Sequence, residues 1–344
     1  MTSTIRDIAR HAGVSVGTVS NYLNNPGVVS EKSQKAIRRA IDELGYHPRA
    51  AARSLKSNQT MRLGIVPLIS PEENRSLEPS DNAFLEFLAG VNTTAAESGY
   101  GVLLQAATSP ENELPIYRRL VGEQQVDGVI LMGIQPNDPR IEFLLERKFP
   151  FFAFGRSSNN PNHPFVDVDG AKGMGMAVEH LTQLGHRRIG YITPPQGLMC
   201  FTHRWEGFLH AMGEHNLPIE DELVVEGNFN ERSGQVAMHL LLDLSHPPTA
   251  VITSNDLCAF GAMRALQVRG LVPGNDISIV GFDNIRLASQ WHPALTTIAQ
   301  PFRRLGFIAT QHLIETISGK EVDKHVILEP TLIVRSSTGA VKPR

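Results

Sequence analysis

A small all-α head followed by an α/β core of two doubly wound parallel-sheet lobes is the fold class this sequence predicts, and three observations carry it. The first sixty residues hold three short amphipathic segments with helix caps and no strand-like run. From Met61 onward short apolar runs alternate with helical segments, and the rhythm repeats about 125 residues later, the pattern of parallel sheets. Charge divides at the same place. Residues 1–60 carry nine Lys or Arg against four acids, leaving 23 basic and 31 acidic side chains for the rest, so a head of +5 sits on a body of −8. Only the head is suited to a polyanion.

The head begins at Thr4, which caps "IRDIARHA" with Asp7 three residues on, an acidic capping box. Ile5, Ile8, Ala9 and Ala12 share one face, and Gly13 ends the helix. Ser15 caps a second helix from Val16 to about Leu23. The Gly-containing turn between them has helix-turn-helix spacing. After "NNPGVV", Ser30 caps a third helix with Ala36, Ile37, Ala40, Ile41 and Leu44 on its apolar face and Gly45 past its end. The second helix presents Gly17, Thr18 and Asn21 where a solvated helix usually carries Lys and Glu. A helix lying in the major groove needs short side chains there, and an Asn amide offers adenine a donor and an acceptor together.

"HPRAAARSLKSNQT" follows. Pro48 suits a helix start, but the segment is too short to be stable alone in water, so it reads as a helix formed on docking. Leu55, between Arg53 and Lys56, is the kind of apolar wedge that enters a minor groove and kinks DNA.

In the body, "RLGIVPLI", "GYGVLLQAAT", "VDGVILMG" and "FPFFAFG", then "RRIGYITPP", "ELVVEGNF", "PTAVITSND" and "DISIVGFDN", are the strand-like runs. Ligands bind outside the carboxyl ends of such strands, where Gln105, Arg156, Asn255, Asp256, Asp283 and Asn284 stand, and the cleft between the lobes is the expected site. "GAKGMG", Gly170 to Gly175, has the glycines of a dinucleotide fingerprint in mirror order and follows no evident strand, so it reads as close packing at a helix start. His210 and His215 lack a cysteine pair and read as surface histidines, and Cys200 and Cys258 as packing residues. Nucleophile elbow, HExxH and phosphate-loop motifs are missing, so neither an enzyme nor a bound cofactor or metal is expected.

"TIRDIARHAGVSVGTVSNYLN", "AIDELGYHPRAAARSLK", "HLTQLGHRRIGYI" and "DISIVGFDN" with "ALTTIAQP" resemble the lactose/galactose repressor (LacI/GalR) family of bacterial transcriptional regulators. The resemblance implies a head at 1–47, a hinge helix and linker at 48–60, and a periplasmic-binding-protein-like core at 61–344 that binds an effector and dimerises. It implies interleaved lobes, one at about 61–166 and 299–328, the other at about 167–298 and 329–344. The family's base-reading positions fall on Val16, Gly17 and Asn21 and its intercalating leucine on Leu55; with Thr4, Ser15, Thr18 and Arg53 these form the candidate DNA-binding set. Asn21 stands where an arginine is common. Effector positions fall on Arg204, Asn255 and Asp283, with Phe84 and Phe229 where rings pack on the ligand, and Arg156 replaces an acid.

The expected function is sequence-specific DNA binding, as a homodimeric repressor on a near-palindromic operator, under control of a small molecule bound between the lobes. Arg, Asn and Asp offering paired hydrogen bonds favour a sugar. A purine or nucleoside is the alternative, and a phosphoprotein corepressor comes third. After Arg335 only "SSTGAVKPR" remains, too short and polar for a tetramerising heptad helix. With 41 % apolar and 19 % charged residues, no apolar run of eighteen and no signal-peptide layout, a globular cytoplasmic protein with no membrane association is expected. A surface sugar-binding protein would need an export signal and leaves the head without a role.

Overall fold

The computed structural model describes residues 3–46, 59–69, 82–159 and 162–342, and the chain divides into two compact units, Met1–Thr60 and Met61–Arg344. In the first, α1 (Ile5–Ala12), α2 (Val16–Asn24) and α3 (Glu31–Leu44) form within a residue of the expected bounds. Their caps explain this. Thr4 and Asp7 form the reciprocal capping box, Ser15 accepts from Thr18 N–H at 3.1 Å, and Gly13 and Gly45 close α1 and α3 at φ +65° and +56°, a conformation glycine adopts without a Cβ penalty. Ile8, Ala9, Val19, Val29, Ile37 and Ala40 make the small core. Val16 departs from the apolar stripe of α2: it is 42 % exposed and shares the outer surface with Gly17 and Asn21.

The second unit runs β1 (Arg62–Ile65), α4 (Asn82–Glu97), β2 (Gly101–Leu104), α5 (Pro110–Gly122), β3 (Gly128–Leu131), α6 (Pro139–Glu146), β4 (Phe151–Phe154) and β5 (Phe165–Val168). It continues through α7 (Gly170–Gln183), β6 (Ile189–Thr193), α8 (Met199–Glu214), β7 (Val224–Glu226), α9 (Glu231–Leu242), β8 (Ala250–Thr253), α10 (Asp256–Val268) and β9 (Ser278–Asp283). Last come β10 (Thr296–Ala299), α11 (Phe302–Ile317), β11 (His325–Leu328) and β12 (Thr331–Ile333). One sheet has the order β11-β5-β4-β3-β1-β2 and the other β12-β10-β9-β8-β6-β7. The chain therefore crosses between lobes three times, after β5, β10 and β11.

Two departures from the expected layout concern strands. β5, like β10, β11 and β12, was not among the anticipated runs, "FVDV" being short and interrupted by its one polar residue; consequently the "GAKGMG" helix does follow a strand. Two of its three glycines serve packing all the same: a Cβ on Gly173 would lie 3.1 Å from Ile298 and Phe282 side-chain atoms and one on Gly170 3.1 Å from Arg204, while Gly175 faces open space. β12 pairs antiparallel with β10, since the chain leaves β11 and turns back along the other sheet's edge, so that sheet is not wholly parallel. Helices cross closely on small residues. A Cβ on Gly90 in α4 or Gly306 in α11 would overlap a carbonyl oxygen of the other helix, and Gly234 in α9 and Gly261 in α10 stand in the same relation.

Candidate functional site

Strands of both sheets end around one cavity of about 430 Å³ in the second unit. Phe84, Arg156, Arg204, Phe229, Asn255 and Asp283, the six residues singled out for effector contact, all line it. Of the other polar strand-end residues, Gln105, Asp256 and Asn284 do not. Asp256 is fully buried and accepts from Ile285 N–H at 2.8 Å and from Thr297 Oγ1 at 2.5 Å, and Asn284 Oδ1 accepts from Arg335 at 2.7 Å. Both tie the second lobe together rather than face the cavity.

Arg204 is fixed on three sides. Its guanidinium carbon lies 3.7 Å from the centroid of the Phe282 ring, Nη1 donates to the Ser254 carbonyl at 2.6 Å, and Gly170 leaves room for its stem, a Cβ there lying 3.1 Å from Cγ. A cation held over a ring and against a carbonyl keeps its remaining donors oriented. Asp283 is the last residue of β9, at φ +119°, and its Oδ1 accepts from Gln300 Nε2 at 2.6 Å. Asn255 differs from expectation: Oδ1 caps α10 by accepting from Cys258 N–H at 2.9 Å, and Nδ2 donates to the Phe229 carbonyl at 3.1 Å. Its amide orients the Phe229 loop.

Gly155, at φ +111°, turns the chain after β4 so that Arg156 enters the cavity. Arg156 Nε stands 3.3 Å from Asp167 Oδ2, and His203 Nδ1 approaches the same oxygen at 3.9 Å. Burial pushes the Asp167 carboxyl up to about 6, against the pull of Arg156. Burial, aided by Arg156, pushes the His203 imidazole down to about 4. At the first lobe's wall, Glu113, which lines the cavity, and Asp138 share the buried Arg140 guanidinium. Burial raises the Cys200 thiol, leaving it protonated and a weak nucleophile.

Asp167, His203, Gln300, Phe154 and Phe302 also line the cavity and escaped sequence reasoning. Asp167 was hidden with β5; its signal was a carboxylate at the end of a short alternating run just ahead of the Asp169 cap. The DNA-reading candidates Val16, Gly17 and Asn21 lie exposed on α2, with Thr18 half-buried, while Thr4 and Ser15 serve as caps. Arg53 and Leu55 lie outside the described residues. Among the described residues no group of His, Cys, Asp or Glu is placed to hold a metal, and no helix is long and apolar enough to cross a membrane.

A helix-turn-helix head joined to a two-lobed α/β core with a cavity at its strand ends defines a ligand-responsive DNA-binding protein. Residues 4–49 match the model of bacterial regulatory proteins of the lacI family, and residues 178–338 match a periplasmic binding protein-like domain. The HTH-type transcriptional repressor PurR of Pectobacterium atrosepticum is 36 % identical over 340 residues, covering 97 % of this chain and 96 % of the relative. The lac repressor dimer bound to operator and the anti-inducer ONPF superposes with a TM-score of 0.88 at 28 % identity, over 99 % of this chain and 100 % of that one. The transcriptional regulator CelR in complex with cellobiose gives 0.74 at 30 % identity, over 97 % and 99 %. The chain belongs to the LacI family of bacterial regulatory proteins. It is a DNA-binding transcriptional repressor, not an enzyme, and its partners are operator DNA and a small-molecule effector.

Proposed function

We propose that the protein is a homodimeric, cytoplasmic repressor whose heads read the half-sites of a near-palindromic operator through Val16, Gly17 and Asn21. Its hinge helices insert Leu55 at the centre, and its operator affinity is set by a purine base or nucleoside held between the lobes. The observation that carries the effector class is the make-up of the cavity wall. Phe84, Phe154, Phe229 and Phe302 supply rings from four separate segments, suited to the faces of a flat heterocycle. Arg204 and Asp283 supply a donor and an acceptor for its edge. The amide of Asn255, expected to serve a sugar's hydroxyls, is engaged in capping α10 and holding the Phe229 loop. The likeness to PurR, higher in identity than the likeness to cellobiose-bound CelR, also weighs against a saccharide.

A sugar is the second reading, favoured by the cellobiose in the CelR complex. Calorimetric titration of the full chain with purine bases and nucleosides, and with mono- and disaccharides, separates the two. Saturable heat with a purine, weakened roughly 10- to 100-fold by Asp283→Ala through loss of a charge-assisted hydrogen bond, is the expected result. Operator affinity of that variant without effector should stay unchanged. A saccharide signal lost in Asp283→Ala would establish the second reading.

A further inference from the structure

We propose that Met199 is the clasp that holds the two lobes closed over the cavity. Met199 opens α8, whose Phe208, Ala211 and Met212 pack in the second lobe. Its own side chain goes the other way. It is 2 % exposed and belongs to the first lobe's apolar cluster, with Ile134, Phe143 and Phe165. Its backbone N–H donates to the Ile134 carbonyl at 2.8 Å, and the Ser158 hydroxyl reaches its sulfur at 3.9 Å. One residue thus seats a side chain and a main-chain hydrogen bond in the opposite lobe, on the cavity's own lining and at none of the three chain crossings.

The receiving surface is prepared for it. Ile134 is 4 % exposed and lies against Gly155, where a Cβ would come within 3.1 Å of Ile134 Cγ1. Ser157 fixes the neighbouring loops: its hydroxyl donates to the Pro136 carbonyl at 2.9 Å, and its N–H donates to His163 Nε2 at 3.0 Å. That bond requires the neutral imidazole with its proton on Nδ1, where the Pro164 carbonyl lies at 3.2 Å. Burial keeps His163 neutral by lowering its pKa. Opening the lobes would pull a buried thioether out of an apolar cluster and break the bond to Ile134 O. The clasp therefore biases the empty protein toward the closed form, and an effector has less of the closure left to supply. This role is independent of whether the effector is a purine or a sugar.

The test uses the full chain without ligand, by hydrogen exchange and small-angle X-ray scattering. Met199→Ala removes the side chain and keeps the N–H. Met199→Pro removes both at a first helical position, where proline is tolerated, and Met199→Leu keeps the volume. Exchange at the start of α8 and around Ile134 is expected to quicken at least about tenfold in Met199→Ala, as expected for loss of a buried side chain. The radius of gyration should grow in the same variant, and Met199→Leu should restore both. Unchanged exchange and radius in Met199→Ala would overturn the clasp. So would faster exchange spread evenly through both lobes, which would make Met199 an ordinary core residue. Should Met199→Pro fail to fold, the Ala and Leu pair decides.

Discussion

Asp167 and His203 meet inside the cavity with opposite protonation habits, and their titration windows overlap. Asp167 has a folded pKa of about 6 against 3.8 ordinarily. Between those values the folded state binds more protons than the unfolded chain, so its contribution to stability falls as pH rises. His203 has a folded pKa of about 4 against 6.5; the folded state binds fewer protons in that window, and its contribution rises with pH. Each shift corresponds to about 3 kcal/mol at 1.36 kcal/mol per unit, so together they nearly cancel. Denaturant unfolding of Asp167→Asn from about pH 4 to 6.5 is expected to reveal a rising limb relative to the parent, and His203→Gln a falling one. Parallel profiles for all three proteins would contradict the assignment. Asn255 and Asp283 were legible in the sequence because they sit at or beside the ends of apolar strands, whereas Arg204, within α8, was reached only through the family resemblance. Asp167 was missed together with its short strand β5, and His203 because its chemistry arises from burial beside Arg156, which leaves no trace in local spacing.

At the scale of elements, α2 carries neither acidic nor basic residues in its end turns and exposes Val16, Gly17 and Asn21. Without an arginine to grip guanine, it suits A·T pairs: an Asn amide pairs with adenine and valine methyls touch the thymine methyl. Asn21→Arg is expected to move the selected base at one outer half-site position toward guanine by about 1 to 3 kcal/mol, read by in vitro selection against random duplexes. Retention of the parent's preference would remove Asn21 from base reading. The three head helices were readable because Thr4, Gly13, Ser15, Ser30 and Gly45 mark their ends with chemistry that acts within three residues. β5, β10, β11 and β12 were not among the strand-like runs, because each mixes polar residues into a short segment or lies where the chain switches lobes, and β12's direction is set by the edge it reaches.

The molecule as a whole separates a basic head from an acidic body, so its two binding activities should answer differently to salt. Operator affinity, resting on phosphate contacts, is expected to fall roughly 1,000-fold or more between about 50 and 200 mM salt for a dimer making six to ten such contacts. Effector affinity should change little, because the charges lining the cavity are partly or wholly buried and weakly screened. Both are measurable on one preparation by fluorescence anisotropy and calorimetry; equal salt slopes would place the effector on the charged surface instead. The order in which the chain crosses between lobes also governs how the protein comes into being. The first sheet lacks its edge strand β11, and α4 its packing partner α11, until residues 302–328 exist; the second sheet waits for β12 at Thr331–Ile333. A nascent chain emerging from the ribosome can complete its head early, yet neither lobe can close its sheet before the last few dozen residues are made. A truncated message would therefore yield a DNA-binding head on an unfinished body, a product fit for proteolysis rather than for regulation.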